Sequence, residues 1–168
     1  MSNSICGEEM ILISHRGNIE GKSNKENSPE YIDMAIQKGY NVEVDLRTYE
    51  EPSPRPSGRI YRFFLGHDTP DYEVNYKWLE DRRQHLWIHC KNIESLSYFS
   101  YSPAGMGWRY FWHQEDDYTL VSNRLIWAYP GKDLTDMSIC VMPELSNYKE
   151  EDIRGCFGIC SDYIGRYK

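Results

Sequence analysis

The sequence predicts an α/β fold, a compact and trimmed (β/α) barrel, with residues 1–168 forming one domain. Three observations lead there. Short apolar runs recur along the chain, several separated by helical stretches. One run, Tyr40 to Leu46, sets Glu43 and Asp45 on one face and Val42, Val44 and Leu46 on the other, because side chains alternate along a strand. Two other runs stop at His15-Arg16-Gly17 and Gly66-His67-Asp68, and strand ends are where a barrel carries its chemistry.

The elements follow in order. Ile11 to Ser14 reads as a short buried strand, followed by a polar loop from Gly17 to Asn27. Ser28-Pro29-Glu30 opens a helix, with serine as N-cap, proline at the first helical position and an acid in the first turn. Ile32, Ala35 and Ile36 form its apolar stripe and Gly39 its stop. After the Tyr40–Leu46 strand, Glu50 to Arg59 carries three prolines and a Ser-Gly and reads as a surface loop. Ile60 to Leu65 is the third strand. A short amphipathic segment spans Tyr76 to Gln84. Leu86 to Lys91 is the fourth strand, with His89 and Lys91 on one face and Ile88 and Cys90 on the other. Ile93 to Tyr98 makes one or two helical turns. Further strand-like runs lie at Arg109–His113, Tyr118–Val121, Leu125–Tyr129, Ile139–Met142 and Cys156–Ile159, and an acidic helical stretch spans Glu144 to Arg154. The later connections are too short for full helices, so the barrel must be trimmed. Exposed barrel wall would result, which a homodimer could cover.

Composition narrows the function classes. A net charge of −7 argues against nucleic-acid and anionic-membrane surfaces as partners. The apolar run Met10–Ile13 is too short for a membrane span, so no integral membrane role is expected. Five cysteines without a CxxC pair read as reduced thiols of a cytoplasmic protein; Cys156 and Cys160, four apart, do not make a zinc pair.

The candidate site residues fit one chemistry. Cleaving a phosphodiester requires neutralised non-bridging oxygens, an activated nucleophile and a protonated leaving group. Glu43 and Asp45 offer hard oxygen ligands to a divalent ion. Arg16 can grip phosphate oxygens through its planar fork, and Lys91 adds a point charge. His15 and His67 titrate near neutrality, so one can take a proton while the other gives one. The residues leave open which does which, and whether the attacker is water or a neighbouring substrate hydroxyl. The run His113-Gln114-Glu115-Asp116-Asp117 reads as a solvated acidic turn, with an active-site rim loop as the alternative. Most of Trp108, Trp112, Trp127 and Tyr129 are expected in the core, although they could line a sugar or headgroup pocket.

These motifs resemble a known family. His15-Arg16-Gly17, Glu26-Asn27-Ser28-Pro29 opening a helix, Gly39, Val42-Glu43-Val44-Asp45 and Leu65-Gly66-His67-Asp68 look like the N-terminal half of the glycerophosphodiester phosphodiesterase family. Trp87 to Lys91 resembles its strand carrying a phosphate-facing lysine, and Gly158 to Tyr163 its closing strand with the Thr-Asp that follows. The resemblance is dense over residues 11–91 and sparse between 100 and 150. It implies a TIM-type barrel that hydrolyses phosphodiesters with a divalent metal ion (Mg, Ca or Mn), both histidines acting in acid-base catalysis and the Glu-x-Asp pair binding metal. The expected substrate is a small glycerol- or sugar-linked phosphodiester, as in lipid metabolism.

One departure stands out. The family carries an acidic third ligand two residues before the lysine, where this chain has His89. Histidine can ligate a divalent ion but moves preference toward Mn²⁺, Zn²⁺ and other transition metals. Alternatively Glu115 or Glu144 supplies the missing acid, or the protein is a catalytically impaired phosphoryl-ligand binder on the same fold.

Overall fold

The computed structural model describes residues 10–53, 58–101 and 107–168. Its strands are β1 (Ile11–His15), β2 (Asn41–Pro52), β3 (Arg59–Leu65), β4 (Tyr72–Val74), β5 (Leu86–Cys90), β6 (Arg109–Trp112), β7 (Tyr118–Leu120), β8 (Ile126–Ala128), β9 (Ser138–Val141) and β10 (Gly158–Ser161). Its α-helices are α1 (Pro29–Gln37), α2 (Tyr76–Arg82), α3 (Ile93–Tyr101) and α4 (Glu150–Arg154). The result is a strand-rich mixed α/β structure built on one ten-stranded sheet.

The parallel part of that sheet runs β6-β5-β2-β1-β10-β9-β8. Its strands therefore follow chain order around the path, and the first strand pairs with the last, Ile13 opposite Cys160. Among the described residues no ladder joins β6 to β8, yet the two meet: Phe111 stacks on Trp127 with ring centroids 4.6 Å apart. The sheet is curled far enough to bring its two parallel ends into contact.

Side-chain alternation divides the core in two. Val42, Val44, Leu46 and Ile88 point outward, against Ile32 and Ala35 of α1, Leu79 of α2 and Phe99 of α3. Ile13, Trp87, Phe111, Trp127, Ile139 and Cys160 point the other way and form a second cluster. This second cluster is the floor of the site, because two residues further along the same faces come His15, His89, His113, Tyr129, Val141 and Asp162. Truncating Trp87, which is fully buried there, would cost about 3–5 kcal/mol.

Several elements differ from expectation. The strand at Ile60–Leu65 exists, but it is antiparallel to β2 rather than the next parallel strand. The predicted surface loop is shorter at both ends: Glu50–Pro52 extend β2 and pair with residues 59–61 of the returning strand. Residues 54–57 of that loop lie outside the described residues. β4 was not legible, being three residues paired to β3 with Val74 packed into the outer core. The acidic stretch Glu144–Arg154 is not one helix but a 3₁₀ turn at Pro143–Leu145 followed by α4. Ser146 and Lys149, both in extended backbone, divide it. The turn before α1 is as predicted, with Ser28 capping and Pro29 in the first turn. Cys90, Cys140, Cys156 and Cys160 are buried free thiols; Cys6 lies outside the described residues. No helix among the described residues is long and apolar enough to cross a membrane.

Candidate metal centre and catalytic cleft

The polar rim above the second core cluster opens into a cleft of about 450 Å³. His15, Arg16, Glu43, His67, His89 and Lys91 all line it. Asp45 lies directly behind this wall, fully buried. All seven sequence-predicted site residues are thus brought together.

Backbone conformation sets them there. β1 ends at His15, and Arg16 takes a left-handed conformation with φ of 54°. Its N–H donates to Glu43 O at 2.9 Å, and its carbonyl accepts from Asn27 N at 3.0 Å. Such a conformation is costly for a residue bearing a Cβ, so these contacts must hold it. Gly17 follows with φ of 92°, and a Cβ there would meet Tyr31 Cδ1 at 2.7 Å. The glycine of the His-Arg-Gly motif is therefore required by space as well as by φ. Gly66 has the same role beside His67: its φ is 143°, and a Cβ would collide with the Thr69 carbonyl.

His67 reaches the cleft along the β2–β3 hairpin. Gly66 N donates to Asp45 O at 3.1 Å, tying the returning strand back to β2. Arg47, one step beyond Asp45 on the same face, donates Nη1 to the Gly66 carbonyl and Nη2 to the His67 carbonyl at 2.8 Å. The guanidinium thus pins the loop that presents His67.

The acids form the centre. Ligand atoms of Glu43, Asp45 and His89 lie within 4.8 Å of one another. His89 Nδ1 is 3.1 Å from Asp45 Oδ1 and 3.7 Å from Glu43 Oε1. Arg16 Nε pairs with Asp45 Oδ2 at 2.9 Å, and Lys91 Nζ stands 3.7 Å from Asp45 Oδ1. Asn27 grips Asp45 twice, donating Nδ2 to Oδ2 at 2.9 Å and accepting the Asp45 N–H on Oδ1 at 3.0 Å. Two buried carboxylate oxygens, Glu43 Oε2 and Asp45 Oδ1, face imidazole nitrogens without a well-aligned hydrogen bond, His15 Nε2 at 3.8 Å and His89 Nδ1 at 3.1 Å. An unsatisfied buried acceptor costs about 1–3 kcal/mol, and a cation bound between these oxygens would offset that cost. Two carboxylate oxygens and one imidazole nitrogen suit a divalent ion of intermediate hardness. Glu115 is exposed, and Glu144 accepts from Ser161 Oγ and Asp162 N, so neither joins this trio.

His15 is oriented from behind. Its Nδ1 is 2.7 Å from Asp162 Oδ1, which also accepts from Asn18 Nδ2 at 2.8 Å. Its Nε2 faces Glu43 Oε2 at 3.8 Å.

Protonation follows from these contacts. Burial opposes charge on His15, but the Asp162 hydrogen bond and the Glu43 carboxylate outweigh it and raise its pKa. His67 moves the other way, lowered by burial and by Arg16. Asp45 is held far below the usual carboxylate range: burial opposes its charge, but His89 and Arg16 prevail. Glu43 is raised by burial and by the charge of Asp45. The two acids of one strand face are thus driven apart in protonation.

Some residues that build this candidate site escaped the sequence reading. Asn27 was visible only as part of a motif, and Asp162 only as the residue after the closing strand. Arg47 had a signal, the same strand face as Glu43 and Asp45. His113 belongs to a run read as a solvated turn; residues 114–117 are indeed exposed, but His113 turns into the cleft and stacks on Tyr129 at 3.6 Å. Trp108 and Trp112 pack in or against the outer core, whereas Trp127 and Tyr129 line the cleft. No protein-family model, curated protein or solved structure matches this chain.

Proposed function

We propose that this protein is a phosphoric diester hydrolase on a trimmed TIM-type barrel, acting with a divalent metal ion on a small glycerol- or sugar-linked phosphodiester. The observation that carries this reading is the juxtaposition, in one cleft, of two histidines of opposite pKa shift with a buried Glu43/Asp45/His89 trio. The motif resemblance to glycerophosphodiester phosphodiesterases supports it, as does the chain-order path of the parallel strands with β1 beside β10.

Glu43, Asp45 and His89 would hold the ion, which when bound supplies positive charge to the non-bridging phosphate oxygens. Arg16 and Lys91 line the same cleft and add charge to the other side of the phosphoryl group. His67, kept neutral, accepts the proton of the attacking hydroxyl as its oxygen bonds phosphorus. His15, its pKa raised by the Asp162 hydrogen bond, donates its Nε2 proton to the departing ester oxygen as that P–O bond breaks. Each histidine contributes roughly 10²–10⁴-fold.

The test is turnover of bis(p-nitrophenyl) phosphate by the purified chain. Activity abolished by chelator and restored by Mn²⁺, Mg²⁺ or Ca²⁺ supports the hydrolase. Phosphate-ester binding without turnover under any of these metals supports the phosphoryl-ligand binder instead, a reading favoured by the Arg16 and Lys91 cations already beside Asp45.

A further inference from the structure

We infer that one ester arm of the substrate is an aliphatic chain, seated on the half of the cleft opposite the charged groups. This inference rests on the phosphodiester reading and names a substrate class for it.

The lining of the cleft is segregated. The charged and acid-base groups that line the cleft are carried on or just after β1, β2, β3, β5 and β6. The opposite wall comes from β8, β9 and the 3₁₀ turn after β9, and it presents Tyr129, Pro130, Val141, Met142 and Leu145. No aspartate, glutamate, lysine or arginine lines that wall. Its Tyr129 hydroxyl is engaged by Thr119, and the Tyr129 carbonyl accepts from Tyr148 Oη at 3.4 Å. A polyol arm would find few partners there, and burying its hydroxyls unpaired is costly.

Two further observations indicate that the wall is built rather than incidental. Met142 has φ of 47° and ψ of 54°, a left-handed conformation for a residue with an unbranched side chain. Its N–H donates to Cys160 O at 2.7 Å, which fixes the chain reversal that turns Met142 and then Leu145 toward the cleft. Conformations of this kind cost free energy and collect at ligand sites. Leu145 is 69% exposed at the lip, an apolar side chain left in water that an alkyl chain would cover.

The aromatic residues argue for an aliphatic occupant over a planar one. Phe111 is stacked between His89 and Trp127, and Trp127 meets Trp87 on another side at 5.9 Å. Tyr129 is covered by His113. These rings are committed to one another, so the surface left for an arm is largely methionine, leucine, valine and proline.

The test is calorimetric titration of the full chain with methyl, butyl and octyl phosphate, below micelle-forming concentrations. Each methylene seated on this wall should tighten binding about 3–4-fold, so octyl phosphate should bind at least tenfold more tightly than butyl. Leu145→Ser and Met142→Ser should each flatten the series, and the exposed Leu145 position carries little folding risk. A wild-type affinity independent of chain length overturns the aliphatic arm, even where phosphodiesters are hydrolysed. Chain-length dependence without any hydrolysis keeps the arm and removes the hydrolase reading instead.

Discussion

Replacing Asp162 by asparagine removes one negative charge while keeping the shape of the side chain. Asp162 is 2% exposed and accepts from His15 Nδ1 at 2.7 Å and Asn18 Nδ2 at 2.8 Å. A hydrogen bond to a charged partner contributes about 1.5–3 kcal/mol net, so D162N should cost the metal-free protein about 2 kcal/mol where both groups are charged. In a chain of this size that lowers Tm by roughly 4–8 °C. The pH window follows from the two shifts. His15 is raised from 6.5 by folding, so its contribution is complete below that value and is lost as pH climbs through the folded pKa. Asp162 is lowered from 3.8, so its contribution is complete above that value and is lost on acidification through the folded pKa. The stability deficit of D162N is therefore largest between those limits. Above about pH 6.5 it narrows, by at most about 1.4 kcal/mol per pH unit. Thermal denaturation in chelator across this range, with an NMR titration of His15, measures both effects. A deficit that stays constant from about pH 5 to about pH 8.5, or a His15 pKa unchanged in the variant, would refute the argument.

Three further outcomes are expected. Glu43→Gln should raise the Tm of the metal-free protein, by relieving the charge that burial and Asp45 already disfavour, while weakening Mn²⁺ binding at least tenfold by calorimetry; a destabilised variant with unchanged affinity contradicts this. Arg47→Ala should lower kcat roughly 10–100-fold, since a small misplacement of His67 is costly, and Arg47→Lys should recover only part because it cannot bridge two carbonyls. Equal kcat in all three proteins would remove Arg47 as a positioning residue. His113, pushed down to about 4 by burial and by His89, should stay neutral in NMR titrations down to about pH 5; its stabilising effect is complete above 6.5 and declines on acidification toward the folded value. An imidazole resonance that titrates at the ordinary position would disprove that environment.

The sequence carried more of the site than of the fold. Alternation along Tyr40–Leu46 located Glu43 and Asp45 because a strand has only two faces, and the same rule placed His89 and Lys91 together. The turns were legible where a glycine or a cap was sterically demanded, as at Gly17, Gly66 and Ser28. What the pattern could not show was strand direction. The apolar run Ile60–Leu65 reads the same whether the strand is parallel or antiparallel, and only the hairpin from an extended β2 decides it. Long-range partners were hidden for a related reason: Asp162 meets His15 across 147 residues, and nothing local to either marks the pair. His113 was concealed by its four exposed neighbours, because charge runs report on a segment and not on one side chain within it.

The central claim is that Glu43, Asp45 and His89 hold a divalent ion beneath His15 and His67. Anomalous diffraction from a crystal soaked in Mn²⁺ tests it most directly. The expected result is a peak within about 2.5 Å of ligand atoms from all three side chains, inside the cleft lined by both histidines. A peak bound elsewhere, or none at this trio under saturating Mn²⁺, would contradict it.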